Sequence, residues 1–229
     1  SICWSIKKSQ IVNKIYCIPG NAGISKIATC LTEENTTNDS IVEICKKHII
    51  DLVVIGPEAY LANGLADRLS QEKINVFGPS KSASILESSK SYTKDLCLKY
   101  NIPTAKYKIF SDKSNANKYL KEQKYPIVIK ADGLASGKGV IIANSIEEAV
   151  LSVNQIFDGK FGEAGKTIVI EEFLEGTEAS FFAISDGNII IPFTTAQDYK
   201  KAYDNNEGPN TGGMGAFSPA RNIDKNLEK

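Results

Sequence analysis

The chain has 229 residues, 42% of them hydrophobic and 24% charged, which excludes an intrinsically disordered or fibrous protein and a small disulfide-stapled one. Basic and acidic residues number 27 each, so no net positive charge favours nucleic acid or an acidic membrane as a partner. No apolar run approaches the ~20 residues that span a bilayer, and the first residues lack a signal-peptide pattern, which favours a cytoplasmic protein.

The first 80 residues alternate between predicted helices and strands, as is typical of a doubly wound parallel sheet in an α/β domain. The predicted strands are residues 15–18, 49–55 and 74–77, and the intervening helices lie near 3–8, 40–45 and 61–69. The nearly continuous apolar run 49–55 predicts a strand buried on both faces. Because a doubly wound domain normally begins with a strand, we expect further residues before Ser1.

From about Ser84 the pattern changes to a mixed α+β region. Capping boxes at Ser84–Glu87 and Ser145–Glu148 predict helices that end near Lys99 and Phe157. The predicted strands are 105–110, 126–130, 140–143, 167–171, 179–184 and 188–193. The polar, glycine-rich segment 194–219 is too long for a structureless connector.

Residues 132–139 form a glycine-rich loop between two predicted strands, and we call them the phosphate loop. Its three glycines let backbone N–H groups turn toward an anion, and Lys138 adds a positive charge. The glycine spacing differs from that of a Walker A loop. The position also differs, because this loop joins two strands and a Walker A loop joins a strand to a helix. An ordinary hairpin with an exposed lysine is the alternative interpretation.

Polar residues also end two apolar strands. Lys130 needs either a paired anion or a route to solvent. Residues 171–174 could present carboxylate and backbone groups to a flat heterocycle, with a solvated strand end as the alternative. Glu178 could meet a ribose hydroxyl or a salt-bridging lysine.

Three further segments are candidate ligand loops. Residues 208–215 suit a small anion because glycine leaves their backbone accessible, although a plain surface loop is the alternative. Loops 19–23 and 56–58 follow strands, so they lie at the carboxyl edge where open α/β sheets bind ligands. Glu58 could accept two ribose hydroxyls or cap a helix.

Taken in order along nearly the whole chain, these motifs resemble those of the ATP-grasp ligases and, within them, the glycinamide ribonucleotide synthetase family. The resemblance is carried by residues 19–23, 56–58, 89–95, 127–139, 170–174, 197–198 and 208–219. It implies a phosphoribosylamine-binding domain (1–88), the start of an ATP-grasp domain (89–107), a lid subdomain (108–178) and an incomplete ATP-grasp remainder (179–229).

The resemblance also implies the roles of individual residues. ATP would be bound by Lys90, Lys130, Gly133, Ser136, Gly137, Lys138, Gly139, Glu171, Phe173, Leu174 and Glu178. Phosphoribosylamine would be bound by Asn21, Gly23 and Glu58, and glycine by Asn210, Thr211, Gly212 and Met214. Lys200 and Gly213 would act in catalysis.

The reaction that the resemblance implies joins glycine to 5-phosphoribosylamine through glycyl phosphate, with ATP converted to ADP and phosphate, in purine biosynthesis. No protein nucleophile is required, which fits a chain with one histidine and scattered cysteines. The ligands of Mg²⁺ or Mn²⁺ are expected beyond Lys229, and the protein is expected to be a monomer or weak dimer. The alternatives are a truncated ATP-binding module without turnover and a sister ATP-grasp ligase that acts on another ribonucleotide.

Overall fold

The computed structural model describes residues 1–32, 36–135 and 137–224. The chain divides into two compact units, Ser1–Ser82 and Ala83–Lys229. The finer domain boundaries expected after residues 88, 107 and 178 stay predictions. Within the described ranges, no helix is both long and apolar enough to cross a membrane.

The first unit pairs its strands in parallel, as the alternating sequence pattern predicts. Its elements are α1 (Ile2–Ile6), β1 (Tyr16–Cys17), β2 (Thr29–Cys30), α2 (Asn38–Lys47), β3 (Leu52–Val54), α3 (Glu58–Ala62), α4 (Leu65–Gln71) and β4 (Asn75–Phe77). Strand β1 pairs with β2, and β3 pairs with β4. Helix α5 (Lys81–Ser88) follows at the boundary between the units.

The core of the first unit lies between its helices and one face of β3 and β4. Val42 and Leu69, from α2 and α4, are fully buried and pack with Val53 and Val76 of the strands. The opposite face is not covered, since Leu52 and Phe77 are each 56% exposed. The prediction that residues 49–55 are buried on both faces is therefore wrong for β3, because an apolar run does not show which of its faces has a partner.

The second unit contains a four-stranded antiparallel sheet flanked by helices. Its elements are α6 (Lys90–Lys99), β5 (Tyr107–Phe110), α7 (Lys113–Leu120), β6 (Ile127–Ala131), β7 (Val140–Ala143), α8 (Ile146–Gln155) and β8 (Ile168–Glu172). The strand order is β5-β8-β6-β7. Ile129 and Ile170 pack with α7 and α8 in the core. Because side chains alternate along a strand, Lys130 and Glu171 lie on the other face.

The chain then forms a three-stranded antiparallel sheet of β9 (Ser180–Ser185), β10 (Ile190–Tyr203) and β11 (Glu207–Phe217). The turn at Asp186–Gly187 joins β9 to β10, and Asp186 Oδ1 accepts the N–H groups of Asn188 and Ile189. Residues 208–215 were expected to form a loop, but they belong to β11. Pairing with β10 accounts for this difference, since cross-strand hydrogen bonds override the low strand propensity of glycine.

One of the two predicted capping boxes is wrong. Ser84 lies inside α5, and Ser89 instead caps α6 by accepting the N–H of Tyr92 at 3.2 Å. At the second box, Ser145 caps α8 by accepting the N–H of Glu148 at 3.3 Å. The Glu148 carboxylate accepts the N–H of Asn144, one residue before the cap.

Candidate functional site

A buried carboxylate lies between two lysines on the face of the four-stranded sheet that points away from α7 and α8. Glu171 Oε2 lies 3.0 Å from Lys130 Nζ and 3.1 Å from Lys94 Nζ. The register sets Lys130 beside Val169 and Val128 beside Glu171, so Lys130 and Glu171 are diagonal neighbours on one face. Lys130 thus has a paired anion, and the alternative of a lysine that simply reaches solvent is not observed.

Glu171 itself is 4% exposed, so this strand end is not a solvated one. Its second carboxylate oxygen, Oε1, is buried and has no hydrogen-bond partner among the described residues. The chain then turns outward, where Phe173 and Leu174 are 38% and 62% exposed. An unpaired buried polar atom is energetically costly. Binding of a flat apolar ligand that donates a hydrogen bond to Oε1 would remove that cost.

Lys94 has no predicted role in the site, yet its ammonium lies in this cluster. Lys94 is 8% exposed and also donates to Thr104 Oγ1 at 2.7 Å and to the Ala105 carbonyl at 3.2 Å. In the sequence, Lys94 stands four residues after Lys90, and residues four apart share a helix face. Both lysines therefore lie on the same side of α6.

Lys90 and the phosphate loop are joined by direct contacts. The Lys90 ammonium donates to the carbonyls of Asp132 and Gly133 at 3.3 and 3.1 Å. The Asp132 carboxylate accepts the N–H of Ser91 at 2.6 Å, which ties the end of β6 to the start of α6. Burial lowers the pKa of Lys90 below its usual value, and the nearby ammonium of Lys130 lowers this pKa further, while Asp132 and Glu171 oppose the shift.

The phosphate loop lies between antiparallel strands β6 and β7, as predicted. Gly133 donates its N–H to the Ala164 carbonyl at 3.2 Å, so in this conformation that group is not directed at an anion. Gly137 has a φ of +74°, which favours glycine, and Lys138 is exposed. The Gly139 carbonyl accepts the N–H of Ala131. Ser136 lies outside the described residues.

A second group of predicted site residues meets across β10 and β11. Lys200 Nζ lies 2.7 Å from Glu178 Oε1 and 3.3 Å from Asp198, and the hydrogen bond with Glu178 raises the pKa of Lys200. Thr211 donates its hydroxyl to the Lys200 carbonyl and accepts the N–H of Gly213. Because its pKa is raised, Lys200 is a charged ammonium group at neutral pH.

The remaining predicted residues of β11 have open surroundings. Asn210 pairs in register with Lys201, and Met214 is 61% exposed. Gly212 and Gly213 have no heavy atom within 4 Å of the position that a Cβ would occupy. The resemblance also predicts that residues 208–215 and the phosphate loop lie at opposite ends of one cleft, and this stays a prediction.

The predicted phosphoribosylamine residues lie in the first unit. Asn21 Oδ1 accepts the N–H groups of Gly23 and Ile24, each at 3.0 Å, and so shapes the turn after β1. Glu58 is the first residue of α3 and is exposed, while Pro57 occupies the cap position, so Glu58 does not cap the helix. Its carboxylate lies beside the helix N-terminus, where negative charge is favourable.

Candidate metal ligands are sparse in the described part of the chain. Residues 1–32, 36–135 and 137–224 contain no group of three or more histidine, cysteine, aspartate and glutamate side chains arranged to hold a metal ion. No metal site is therefore assigned to the described residues.

The fold and this arrangement define an ATP-grasp protein with an additional N-terminal α/β unit. A biotin carboxylase domain of the Hydrogenobacter thermophilus 2-oxoglutarate carboxylase superposes with a TM-score of 0.68 over 87% of this chain and 48% of that one. Because the two are 19% identical, this likeness shows the fold alone.

Family comparisons identify the chain more closely. Residues 1–87 match the N domain of phosphoribosylglycinamide synthetase, and residues 88–229 match its ATP-grasp (A) domain. The chain belongs to the phosphoribosylglycinamide synthetase family. These matches confirm the resemblance and the fold class that the sequence motifs predict.

Relatives with curated names agree with this assignment. The chain is 50% identical over 220 residues to phosphoribosylamine–glycine ligase of Mesorhizobium japonicum, covering 96% of this chain and 52% of the relative. It is 51% identical to the chloroplastic enzyme of Arabidopsis thaliana, covering 100% of this chain and 44% of the relative. The solved phosphoribosylamine–glycine ligase of Thermotoga maritima is 34% identical, with a TM-score of 0.77 over 96% of this chain and 52% of that one. The chain thus spans about half the length of these relatives.

Proposed function

We propose that this chain provides the phosphoribosylamine-binding and ATP-binding parts of a ligase that joins glycine to 5-phosphoribosylamine. The glycine carboxylate attacks the γ-phosphoryl group of ATP to form glycyl phosphate and ADP. The amine of phosphoribosylamine then attacks the acyl carbon, expels phosphate and gives glycinamide ribonucleotide. The reaction belongs to purine biosynthesis, and the names of the curated relatives support it.

The observation that carries the proposal is the buried carboxylate of Glu171, with one oxygen paired to lysine and the other unpaired. The 6-amino group of adenine is a donor that suits Oε1, and exposed Phe173 and Leu174 provide apolar contact for the base. Lys90 and Lys130 lie near the start of the phosphate loop, where their charges would neutralise the triphosphate.

The remaining roles follow from charge and access. We assign Lys200 to electrostatic stabilisation of the acyl phosphate rather than to proton abstraction, because its raised pKa keeps it charged. Glu178 would accept a ribose hydroxyl while it holds Lys200. Gly213, Thr211, Gly212, Asn210 and Met214 would surround glycine, and Asn21, Gly23 and Glu58 would face phosphoribosylamine.

The family also implies a divalent cation, of which Mg²⁺ and Mn²⁺ are the candidates, and small-molecule substrates. We keep a cytoplasmic location and a monomer or weak dimer as predictions from the sequence. Phosphoryl transfer depends mainly on positioning and charge neutralisation, so the lysines and backbone groups of this chain match the chemistry without a protein nucleophile.

The activity is tested in a protein of the length of the curated relatives that contains this chain. ADP release should require both glycine and phosphoribosylamine, and unchanged release when either is omitted would refute the ligase. For the 229-residue chain, calorimetry with ATP in the presence and absence of Mg²⁺ measures nucleotide binding alone. Binding by the chain, together with no turnover in the longer protein, would favour the ATP-binding module.

Removing Lys130 should weaken ATP binding far more than removing a lysine outside the site. We expect Lys130→Ala to raise the Kd for ATP about tenfold or more, because the variant loses a charge-assisted contact with phosphate. Lys121→Ala is the matched control, since Lys121 is exposed at the end of α7. Equal effects of the two substitutions in calorimetry would remove Lys130 from the site.

A further inference from the structure

The two lysines beside Glu171 differ in how firmly they are held. The Lys94 side chain is 10% exposed, and its ammonium has two further partners, Thr104 and Ala105. The Lys130 side chain is 27% exposed, and Glu171 is the one hydrogen-bond partner that the described residues supply to it. Lys94 is therefore the fixed counter-ion, and Lys130 is the one that can exchange its partner.

Both ammonium groups bind the same oxygen, Oε2, and this leaves Oε1 for another donor. A carboxylate oxygen can only accept hydrogen bonds while the group is ionised. If Lys130 moves to a phosphate, Glu171 keeps a buried positive partner only because Lys94 remains. A buried carboxylate without any counter-charge would be strongly unfavourable.

We infer that Lys94 is a positioning residue, which holds Glu171 by Oε2 so that Oε1 selects a purine with a 6-amino group. The inference rests on the proposed ATP site. Lys94 does not touch the nucleotide in this scheme, and it acts through the orientation and charge of Glu171. It also leaves Lys130 free to serve the phosphates.

The chemical consequence is discrimination at position 6 of the purine. The amino group of adenine donates to Oε1, whereas the 6-oxo group of hypoxanthine sets an acceptor against an acceptor. A site with a buried acceptor rejects a ligand that cannot donate to it, because both groups then lose their hydrogen bonds to water. ATP and inosine triphosphate are therefore the diagnostic pair of ligands.

The test is calorimetry of ATP, inosine triphosphate and inorganic tripolyphosphate with the 229-residue chain and its variants. Wild type should prefer ATP over inosine triphosphate by about tenfold or more. Lys94→Met should reduce this preference to within about threefold and leave tripolyphosphate affinity unchanged, whereas Lys130→Met should weaken tripolyphosphate binding. Lys94→Arg should restore the preference for ATP, and Lys121→Met should match wild type.

A second variant keeps the test decisive if Lys94→Met does not fold. Lys94→Met with Glu171→Gln removes the unpaired charge, and the amide of the new side chain can either donate or accept. This double variant should fold and bind both triphosphates within about threefold of each other. A wild-type ratio in either folded variant would overturn the role of Lys94, and so would a loss of preference in Lys94→Arg as large as in Lys94→Met. Failure of wild type to bind ATP would instead refute the proposed nucleotide site and, with it, this role.

Discussion

The phosphate loop and the glycine-bearing part of β11 both belong to the second unit, yet their glycines have different surroundings. A Cβ built at Gly133 would lie 2.9 Å from the Cα and Cβ atoms of Ala164, and one at Gly139 would lie 2.7 Å from the Cβ of Ala135. At Gly212 and Gly215 a Cβ would meet no heavy atom within 4 Å. Glycine thus permits close packing at Gly133 and Gly139 of the phosphate loop and leaves an open backbone surface at Gly212 and Gly215 of β11.

This difference separates two reasons for glycine that the sequence alone does not distinguish. At Gly133, a side chain would meet the backbone of Ala164, so substitution should affect folding first. At Gly212 and Gly215 of β11, a side chain would project into open space, so substitution should affect ligand binding first.

The largest expected effect is that of Gly133→Ala. We expect it to lower the free energy of unfolding by about 2 to 3 kcal/mol, because the added methyl group contacts the backbone of Ala164. Denaturant unfolding of the variant and wild type measures the change. A loss below about 0.5 kcal/mol would show that the loop adjusts easily and would remove the contrast with β11.

An intermediate effect is expected in the pH dependence of ATP binding. Burial lowers the pKa of Lys90, and a bound phosphate would favour the charged form and raise that pKa again. ATP affinity should therefore fall as pH rises through the free-state pKa toward alkaline values, by at most about tenfold per pH unit. Calorimetry between pH 8 and pH 10 measures this fall.

The control for this pH effect is Lys90→Arg, because arginine stays charged throughout this range. The variant should show a flatter profile than wild type. Identical profiles would mean that Lys90 does not face the phosphates and that its charge does not contribute to ATP binding.

The smallest effect on stability is expected for Gly212→Ala. The free energy of unfolding should change by less than about 0.5 kcal/mol, since the methyl group meets no neighbour. In a protein of the length of the curated relatives that contains this chain, the proposed role of β11 in glycine binding predicts a higher KM for glycine. An unchanged KM would leave β11 without a role in glycine binding, whereas strong destabilisation would show that its open surface is packed.

The sequence predicted most of the second unit because its core strands carry a clear signal. Ile127 and Ile129 alternate with Val128 and Lys130, and the turn residues that flank each strand mark its ends. Strand β11 could not be predicted in this way, because its glycines indicate a loop and its pairing with β10 depends on residues elsewhere in the chain. Local propensity loses to tertiary pairing at such positions.

The candidate site was predicted unevenly for a similar reason. Lys130 and Glu171 follow apolar strands and could be identified as unusual, but their direct pairing depends on the register between β6 and β8. Lys94 lies in a helix with other lysines and has no local feature that marks it as buried. Its burial results from the packing of α6 on β8, which single-sequence patterns do not report.

The sheet formed by β9 and β10 also affects how the isolated chain will behave in solution. Large apolar side chains on these strands and their turn are 43% to 71% exposed, namely Phe181, Phe182, Ile184, Ile189, Ile190, Ile191 and Phe193. Exposed apolar surface of this kind promotes aggregation, and sulfate salts strengthen the hydrophobic attraction between molecules. Concentrated samples of the 229-residue chain should therefore scatter more light as ammonium sulfate is added, while the chain stays folded.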